Sequence, residues 1–157
     1  MGKSCESLFF NNISFEKWNK VISVNLTGCF NLCEQAIPCM NKNGKIIFIS
    51  SQLALKGSAH GGDYASSKAG ILGLMKSLAL ELADKKINVN AVAPGTIDTD
   101  LLANYTAEMR QKRIGEIPLK RLGTPEDVAN TCLFLATDLS SYITGETINV
   151  NVQLDIQ

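Results

Sequence analysis

The chain has 157 residues, 45% of them hydrophobic and 19% charged, which suits one packed domain and is too short for two comfortable ones. Fifteen Lys plus Arg balance fifteen Asp plus Glu, which argues against a basic nucleic-acid-binding surface and against a polybasic membrane anchor. No apolar run approaches the ~20 residues of a bilayer span, and the opening MGKSCESLFFNN lacks the apolar core of a signal peptide; the expectation is a soluble cytoplasmic protein with no nucleic-acid or membrane partner.

Residues 15–40 read as a helix. Ser14 is placed to cap it, Glu16 suits its positive N-terminal end, and Pro38 falls in its last turn. Asn25, Thr27 and Gly28 are poor mid-helix residues and mark a break at 25–28. NKNG at 41–44 is a turn. KIIFIS at 45–50 is a short apolar run bounded by turn chemistry, the pattern of a parallel strand covered on both faces. A loop rich in Gly and Ser follows at 52–63. The helix expected over 64–83 carries Ile71, Leu74, Leu78 and Leu82 on one stripe and the small residues Ala65, Ala69 and Gly73 on another. INVNAVA at 87–93 is a second strand, ended by Pro94-Gly95, and 100–115 is a polar segment with helical tendency. Thr124-Pro125-Glu126-Asp127 announces a helix through Leu135, with Thr124 as N-cap, Pro125 at the first position and acidic Asp127 at the third. A turn at 142–145 leads into a last strand at 147–152. Helix and strand alternate, which implies parallel strands joined by right-handed helical crossovers, an α/β layer fold.

Five cysteines (Cys5, Cys29, Cys33, Cys39 and Cys132) form an odd set without secretory features and read as free thiols. Cys29 and Cys33 share a helical face, but with His60 the only histidine a metal site lacks ligands, and none is expected.

The chemistry concentrates at Tyr64-Ala65-Ser66-Ser67-Lys68. Residues four apart at a helix start lie one above the other, so the Lys68 ammonium comes near the Tyr64 hydroxyl. A neighbouring cation and a helix N-terminus both favour phenolate, and the pair makes a general acid/base for an oxygen. Ser51, the start of the Tyr64 helix and Pro94-Gly95 all fall beyond the carboxyl ends of parallel strands, where ligands bind in such sheets.

These stretches, VNLTG (24–28), GKIIFISS (44–51), YASSKAG (64–70), NVNAVAPG (88–95), RLGTPEDVA (121–129) and YITG (142–145), occur in the order and spacing of one known family. The chain resembles a classical short-chain dehydrogenase/reductase of the 3-oxoacyl-[acyl-carrier-protein] reductase-like branch, over residues 8–150. The resemblance implies a Rossmann-like, doubly wound α/β parallel sheet, here N-terminally truncated to strands 5, 6 and 7 of the family order 3-2-1-4-5-6-7. It implies an NAD(P)-dependent oxidoreductase interconverting a carbonyl and a secondary alcohol on a small-molecule substrate, with 3-oxoacyl thioester reduction as one case. Tyr64 would be the acid/base. Lys68 would favour its phenolate and hold the nicotinamide ribose. Ser51, thirteen residues before Tyr64, would bond the substrate oxygen, with Ser50 the neighbouring candidate. Asn25 would hold a water in the proton relay to Lys68. Pro94 and Gly95 would cup the nicotinamide, and the Ile97 backbone and Thr99 would contact its carboxamide. Leu101, Leu102, Met109 and Ile117 lie in the lid region, and His60 in the loop before Tyr64. The helix with Ala65, Ala69 and Gly73 would join a bundle between subunits of a homo-oligomer, or pack closely on the sheet.

Family members run to about 250 residues as one domain, about ninety more than this chain. The strand, glycine-rich turn and helix that receive a dinucleotide pyrophosphate are not in these residues, nor is the residue that selects NADP or NAD. Strand 5 would therefore keep an open edge. Asn151-Val152-Gln153 also departs from the family's Asp or Asn followed by two glycines. Two alternatives stand beside the enzyme: a non-catalytic relative acting as an oligomerising or interaction module, and a chain completing its sheet with another polypeptide.

Overall fold

The computed structural model describes residues 10–152. Ser14 Oγ accepts the Lys17 N–H at 3.1 Å and opens helix α1, Phe15–Ile22. The break expected near Asn25 is a π-turn, Ser23–Thr27, in which the Gly28 N–H reaches the Ser23 carbonyl. Helix α2 follows, Gly28–Ala36, and Pro38 sits in a 3₁₀ turn, Ile37–Cys39.

Three strands, β1 (Lys45–Ile49), β2 (Asn88–Pro94) and β3 (Thr147–Val150), form a parallel sheet in the order β1-β2-β3. Phe48 lies opposite Ala91, and Ala91 opposite Thr147. β2 is central, and five consecutive residues from Val89 to Ala93 are buried, as a strand covered on both faces requires. Successive side chains alternate between the faces. Ile87, Val89 and Ala91, with Phe48 of β1, join a core with Ile71, Met75 and Leu78 of helix α4, Gly62–Glu81, and with Leu82 just beyond its end. Asn90 and Val92 point the other way, toward helix α6, Pro125–Ala136, which touches all three strands and buries Leu135. Asn90 is buried with both ends of its amide bonded: Nδ2 donates to the Ile143 carbonyl and Oδ1 accepts the Glu146 N–H. Helices on both faces of a parallel sheet make the doubly wound Rossmann-like arrangement.

Boundaries differ from the sequence reading where side chains meet the backbone. A short helix α3, Leu53–Lys56, occupies the expected loop, its entry held by the Ser51 oxygen, which accepts the Leu53 N–H at 3.2 Å. α4 begins two residues before Tyr64. The segment at 100–115 splits into a 3₁₀ turn, Asp100–Leu102, and helix α5, Ala107–Glu116, capped by Thr106. The small-residue stripe does not pack on the sheet: Ala65 is buried, but Ala69 and Gly73 face outward, and a Cβ on Gly73 would meet nothing within 4 Å. Cys29, Cys33, Cys39 and Cys132 are free thiols, with Cys39 exposed; Cys5 lies outside the described residues. Among the described residues β1 pairs on one side only. Its open side and α2 enclose a groove of about 690 Å³ lined by Val24, Leu32, Ile46, Phe48 and Lys68. No described helix is long and apolar enough to cross a membrane.

The α6 cap forms as the sequence promises. Thr124 Oγ1 accepts the Asp127 N–H, Asp127 Oδ2 accepts the Thr124 N–H at 2.8 Å, and Arg121 clamps the same carboxylate at 2.7 and 3.2 Å. Hydrogen bonds from Arg121 and from the Thr124 backbone hold the Asp127 carboxyl down from 3.8 to about 2. A carboxyl depressed on folding stabilises the fold above its unfolded value, and that contribution fades as pH falls through the folded one. Asp127→Asn is therefore expected to lower the urea midpoint at neutral pH and to weaken the loss of stability between pH 3.8 and about 2, measured by urea denaturation across that range.

Candidate active site

The carboxyl end of β1 and the first turns of α4 hold the candidate groups together. Ser50 N–H continues the ladder to the Val92 carbonyl at 2.8 Å, and Gln52 N–H reaches the Pro94 carbonyl at 2.9 Å. Between these anchors Ser50 and Ser51 are both buried. Their hydroxyls do different things. Ser50 Oγ donates to the Lys68 carbonyl at 2.9 Å, so its proton is committed to holding α4. Ser51 Oγ accepts from Leu53, which leaves its own proton to donate elsewhere. The two neighbouring serines, of which the spacing to Tyr64 favours Ser51, are thus bonded differently.

Tyr64 lies in the first turn of α4 with 38% of its surface exposed. The Lys68 ammonium stands 5.7 Å from the centre of the Tyr64 ring and donates to the Ile49 carbonyl at 2.9 Å. An ammonium carries three N–H groups, so two are left for other acceptors. Burial pushes the Lys68 ammonium below its ordinary 10.5, with Cys29 acting weakly against it. α4 starts from Gly61 without a side-chain cap. Asp63 substitutes in part, buried, accepting the Tyr64 N–H at 2.9 Å and facing Lys17 at 3.6 Å. The sequence reading did not single out Asp63; an acidic residue in a first turn was its signal.

Asn25 reaches the site through the π-turn. Its Nδ2 donates to Ser67 Oγ at 3.0 Å, and Ser67 Oγ donates to the Tyr64 carbonyl at 2.7 Å. The turn approaches α4 closely at Gly70, where a Cβ would fall 2.6 Å from Leu26 Cδ2. Asn25, Ser51, Tyr64 and Lys68 are thereby brought to one end of the sheet.

The Pro94–Thr99 segment forms the second wall. Gly95 N–H bonds the Val150 carbonyl at 3.0 Å. Gly123 pairs with the backbone on either side of Ile97, its N–H to the Thr96 carbonyl and its carbonyl from the Asp98 N–H. In such a parallel bridge the Ile97 N–H and carbonyl point away from Gly123. Thr99 precedes the 3₁₀ turn and its hydroxyl makes no cap bond. A cavity of about 640 Å³ opens here, lined by Gln52, Gly95, Ile97, Ile117, Leu119 and Asn151 among others. Of the four lid residues, only Ile117 lines it. Leu102 is buried, and Leu101 and Met109 face outward. Gln52, Leu119 and Asn151 were missed; Gln52 was marked only by its place next to Ser51. His60 is exposed, and its backbone N–H bonds Ser58 Oγ.

A phenol, a lysine ammonium with open donor positions and a serine hydroxyl at one strand end suit proton transfer to a carbonyl oxygen. None of Asn25, Ser51, Tyr64 and Lys68 is among the residues that line the cavity at the Pro94–Thr99 wall; Asn25 and Lys68 line the groove beside β1. No strand, glycine-rich turn and helix unit for a dinucleotide pyrophosphate is among the described residues.

A family model described as enoyl-(acyl carrier protein) reductase matches residues 4–152. Among curated relatives, 3-oxoacyl-[acyl-carrier-protein] reductase FabG of Aquifex aeolicus is 46% identical over 144 residues, covering 90% of this chain and 58% of that protein. FabG of Thermotoga maritima is 45% identical, covering 87% and 56%. Nodulation protein G of Azospirillum brasilense is 40% identical, covering 95% and 61%. Among solved structures, a short-chain dehydrogenase/reductase of Brucella melitensis superposes with a TM-score of 0.89 at 31% identity, covering 99% of this chain and 63% of that one. A 3-oxoacyl-[acyl-carrier protein] reductase of the same species gives 0.86 at 34%, covering 96% and 58%. The chain belongs to the short-chain dehydrogenase/reductase family of oxidoreductases. It spans 56% to 61% of the length of these curated relatives.

The backbone wall depends on one missing side chain. A Cβ on Gly95 would lie 2.7 Å from Asn151 Cβ and 3.3 Å from Asn151 Cα. Gly95→Ala must push the β3 exit away from β2. It is expected to destabilise the fold by about 1–3 kcal/mol, measured by urea denaturation.

Proposed function

We propose that this chain is the proton-transfer and substrate-binding part of an oxidoreductase that interconverts a carbonyl and a secondary alcohol with NADP or NAD, with a 3-oxoacyl thioester as substrate. The observation that carries it is the pairing of Tyr64 with Lys68 at the start of α4, beside a Ser51 hydroxyl whose proton is uncommitted. The identity to reductases of 3-oxoacyl thioesters supports the substrate class.

Tyr64 gives its phenolic proton to the substrate oxygen in reduction and takes it back in oxidation. Ser51 supplies a second hydrogen bond where negative charge develops on that oxygen, which stabilises the transition state more than the ground state. The Lys68 cation favours the phenolate that forms, and its two open N–H groups are placed to hold the ribose hydroxyls. The nicotinamide, when bound, supplies or accepts the hydride. Pro94 and Gly95 form its cup, the outward-facing Ile97 backbone and the Thr99 hydroxyl bind its carboxamide, and Asn25 holds a water on the path to Lys68. The outward face of α4, with Ala69, Gly73 and Leu80, makes the contact of a homo-oligomer, in a protein that works in the cytoplasm. The open side of β1 favours a second reading, an interaction module that pairs along this edge.

Tyr64→Phe keeps the ring and removes the proton. In the full-length protein, assayed with NADPH or NADH and an acetoacetyl thioester, it is expected to lower kcat by about 10²–10⁴-fold while leaving dinucleotide affinity within about twofold of wild type, measured by fluorescence titration. Retained turnover overturns the role of Tyr64. A wild-type protein with no turnover on any carbonyl substrate leaves the interaction module.

A further inference from the structure

We propose that Ser67 is a positioning residue: bridging Asn25 and the Tyr64 carbonyl, it locks the π-turn to the start of α4 and so fixes the Tyr64 hydroxyl against the Lys68 ammonium. The proposal rests on the reading of Tyr64 and Lys68 as the proton-transfer pair.

Ser67 is fully buried, at 0% exposure, so its hydroxyl must find partners inside the protein. It takes the Asn25 Nδ2 proton at 3.0 Å and gives its own to the Tyr64 carbonyl at 2.7 Å. A Ser bonded back to its own helix is by itself commonplace. Here the same oxygen also accepts from a residue 42 positions earlier, on a different element. That element is a π-turn, a rare geometry that is frequent at functional sites. The two segments also approach closely one turn further along, at Gly70 and Leu26.

The lock is needed because α4 lacks an ordinary start. Gly61 provides no side-chain cap and Asp63 replaces it only in part, so the turn bearing Tyr64 gains from a further tie. Ser50 holds α4 from the sheet side through the Lys68 carbonyl, and Ser67 holds it from the π-turn side through the Tyr64 carbonyl. Two bonds from different directions fix both the rotation and the height of the turn that carries both side chains.

The test is Ser67→Ala in the full-length protein, with Ser67→Cys as a second variant of similar volume whose thiol is a weak donor. Two readouts are used: steady-state kinetics, and the titration of Lys68 followed by NMR. Lys68 is faced by the Tyr64 ring from its own helix and by Cys29 from α2. In Ser67→Ala, kcat is expected to fall about tenfold with KM within about twofold. Lys68, no longer held down in its buried place, should titrate closer to its ordinary 10.5. Ser67→Cys should lie between Ser67→Ala and wild type on both readouts, and it decides the matter alone if Ser67→Ala does not fold. Wild-type kcat in the variant, or an unmoved Lys68 titration, overturns the proposal. A wild-type protein without turnover refutes the oxidoreductase reading instead, and the Lys68 titration then judges the lock by itself.

Discussion

Lys68 is tied to the end of β1 twice, and in opposite senses. Its ammonium reaches back to the Ile49 carbonyl, while Ser50 Oγ reaches across to the Lys68 carbonyl. One residue is held by its side chain to the last residue of β1 and by its backbone to the residue that follows it. α4 therefore cannot rotate or slide on the sheet without breaking one of the two bonds. Tyr64 stands one turn before Lys68 on the same helix, and its turn is held further by Ser67 through the Tyr64 carbonyl. The arrangement exposes the ammonium to loss of hydration, which is why its titration is pushed down. The same loss of water strengthens whatever the remaining ammonium protons bind.

The sheet can hold this junction firmly because β2 is buried from Val89 to Ala93 and carries neighbours on both sides. Apolar contact with α4 on one face and α6 on the other fixes where each strand ends. The ends are then joined across the top, β1 to β2 through Gln52 and Pro94, and β2 to β3 through Gly95 and Val150. The two walls of the site are made by different means. The α4 wall is a set of side-chain hydrogen bonds. The Pro94–Thr99 wall is close backbone approach, allowed by Gly95 against Asn151. A polar wall tolerates small changes of volume and fails when a donor is lost. A wall of close-packed backbone behaves in the opposite way.

Most of this framework was legible in the sequence. The strands declared themselves as apolar runs between turn residues, and Thr124 with Asp127 named the start of α6 to the residue. Tyr64, Lys68, Ser51 and Pro94-Gly95 stood out as candidates because Tyr-x-x-x-Lys is a local spacing and strand ends are marked by turn chemistry. What escaped were relations across long separations. Asn25 and Ser67 stand 42 positions apart, and no periodicity links them. The break at Asn25 was visible as poor helix propensity, but its form as a π-turn depends on what α4 presents to it. The division of labour between Ser50 and Ser51 depends on which hydroxyl faces Lys68. Among the lid residues Ile117 lines the cavity and Leu101 points outward, a difference that apolar character alone does not announce.

The open side of β1 bears on the same junction. Ile46 and Phe48 belong to the strand whose end holds Lys68, and with Val24 and Leu32 they line the apolar groove that Lys68 closes at one end. A segment seated in that groove would take water away from the Lys68 ammonium. Covering the edge would therefore do more than satisfy unpaired backbone groups. It would deepen the burial that already lowers Lys68, and it would raise the strength of every charge-assisted bond around Tyr64. The stability of the sheet edge and the electrostatics of the Tyr64–Lys68 pair are thus one problem, joined at the Ile49 carbonyl.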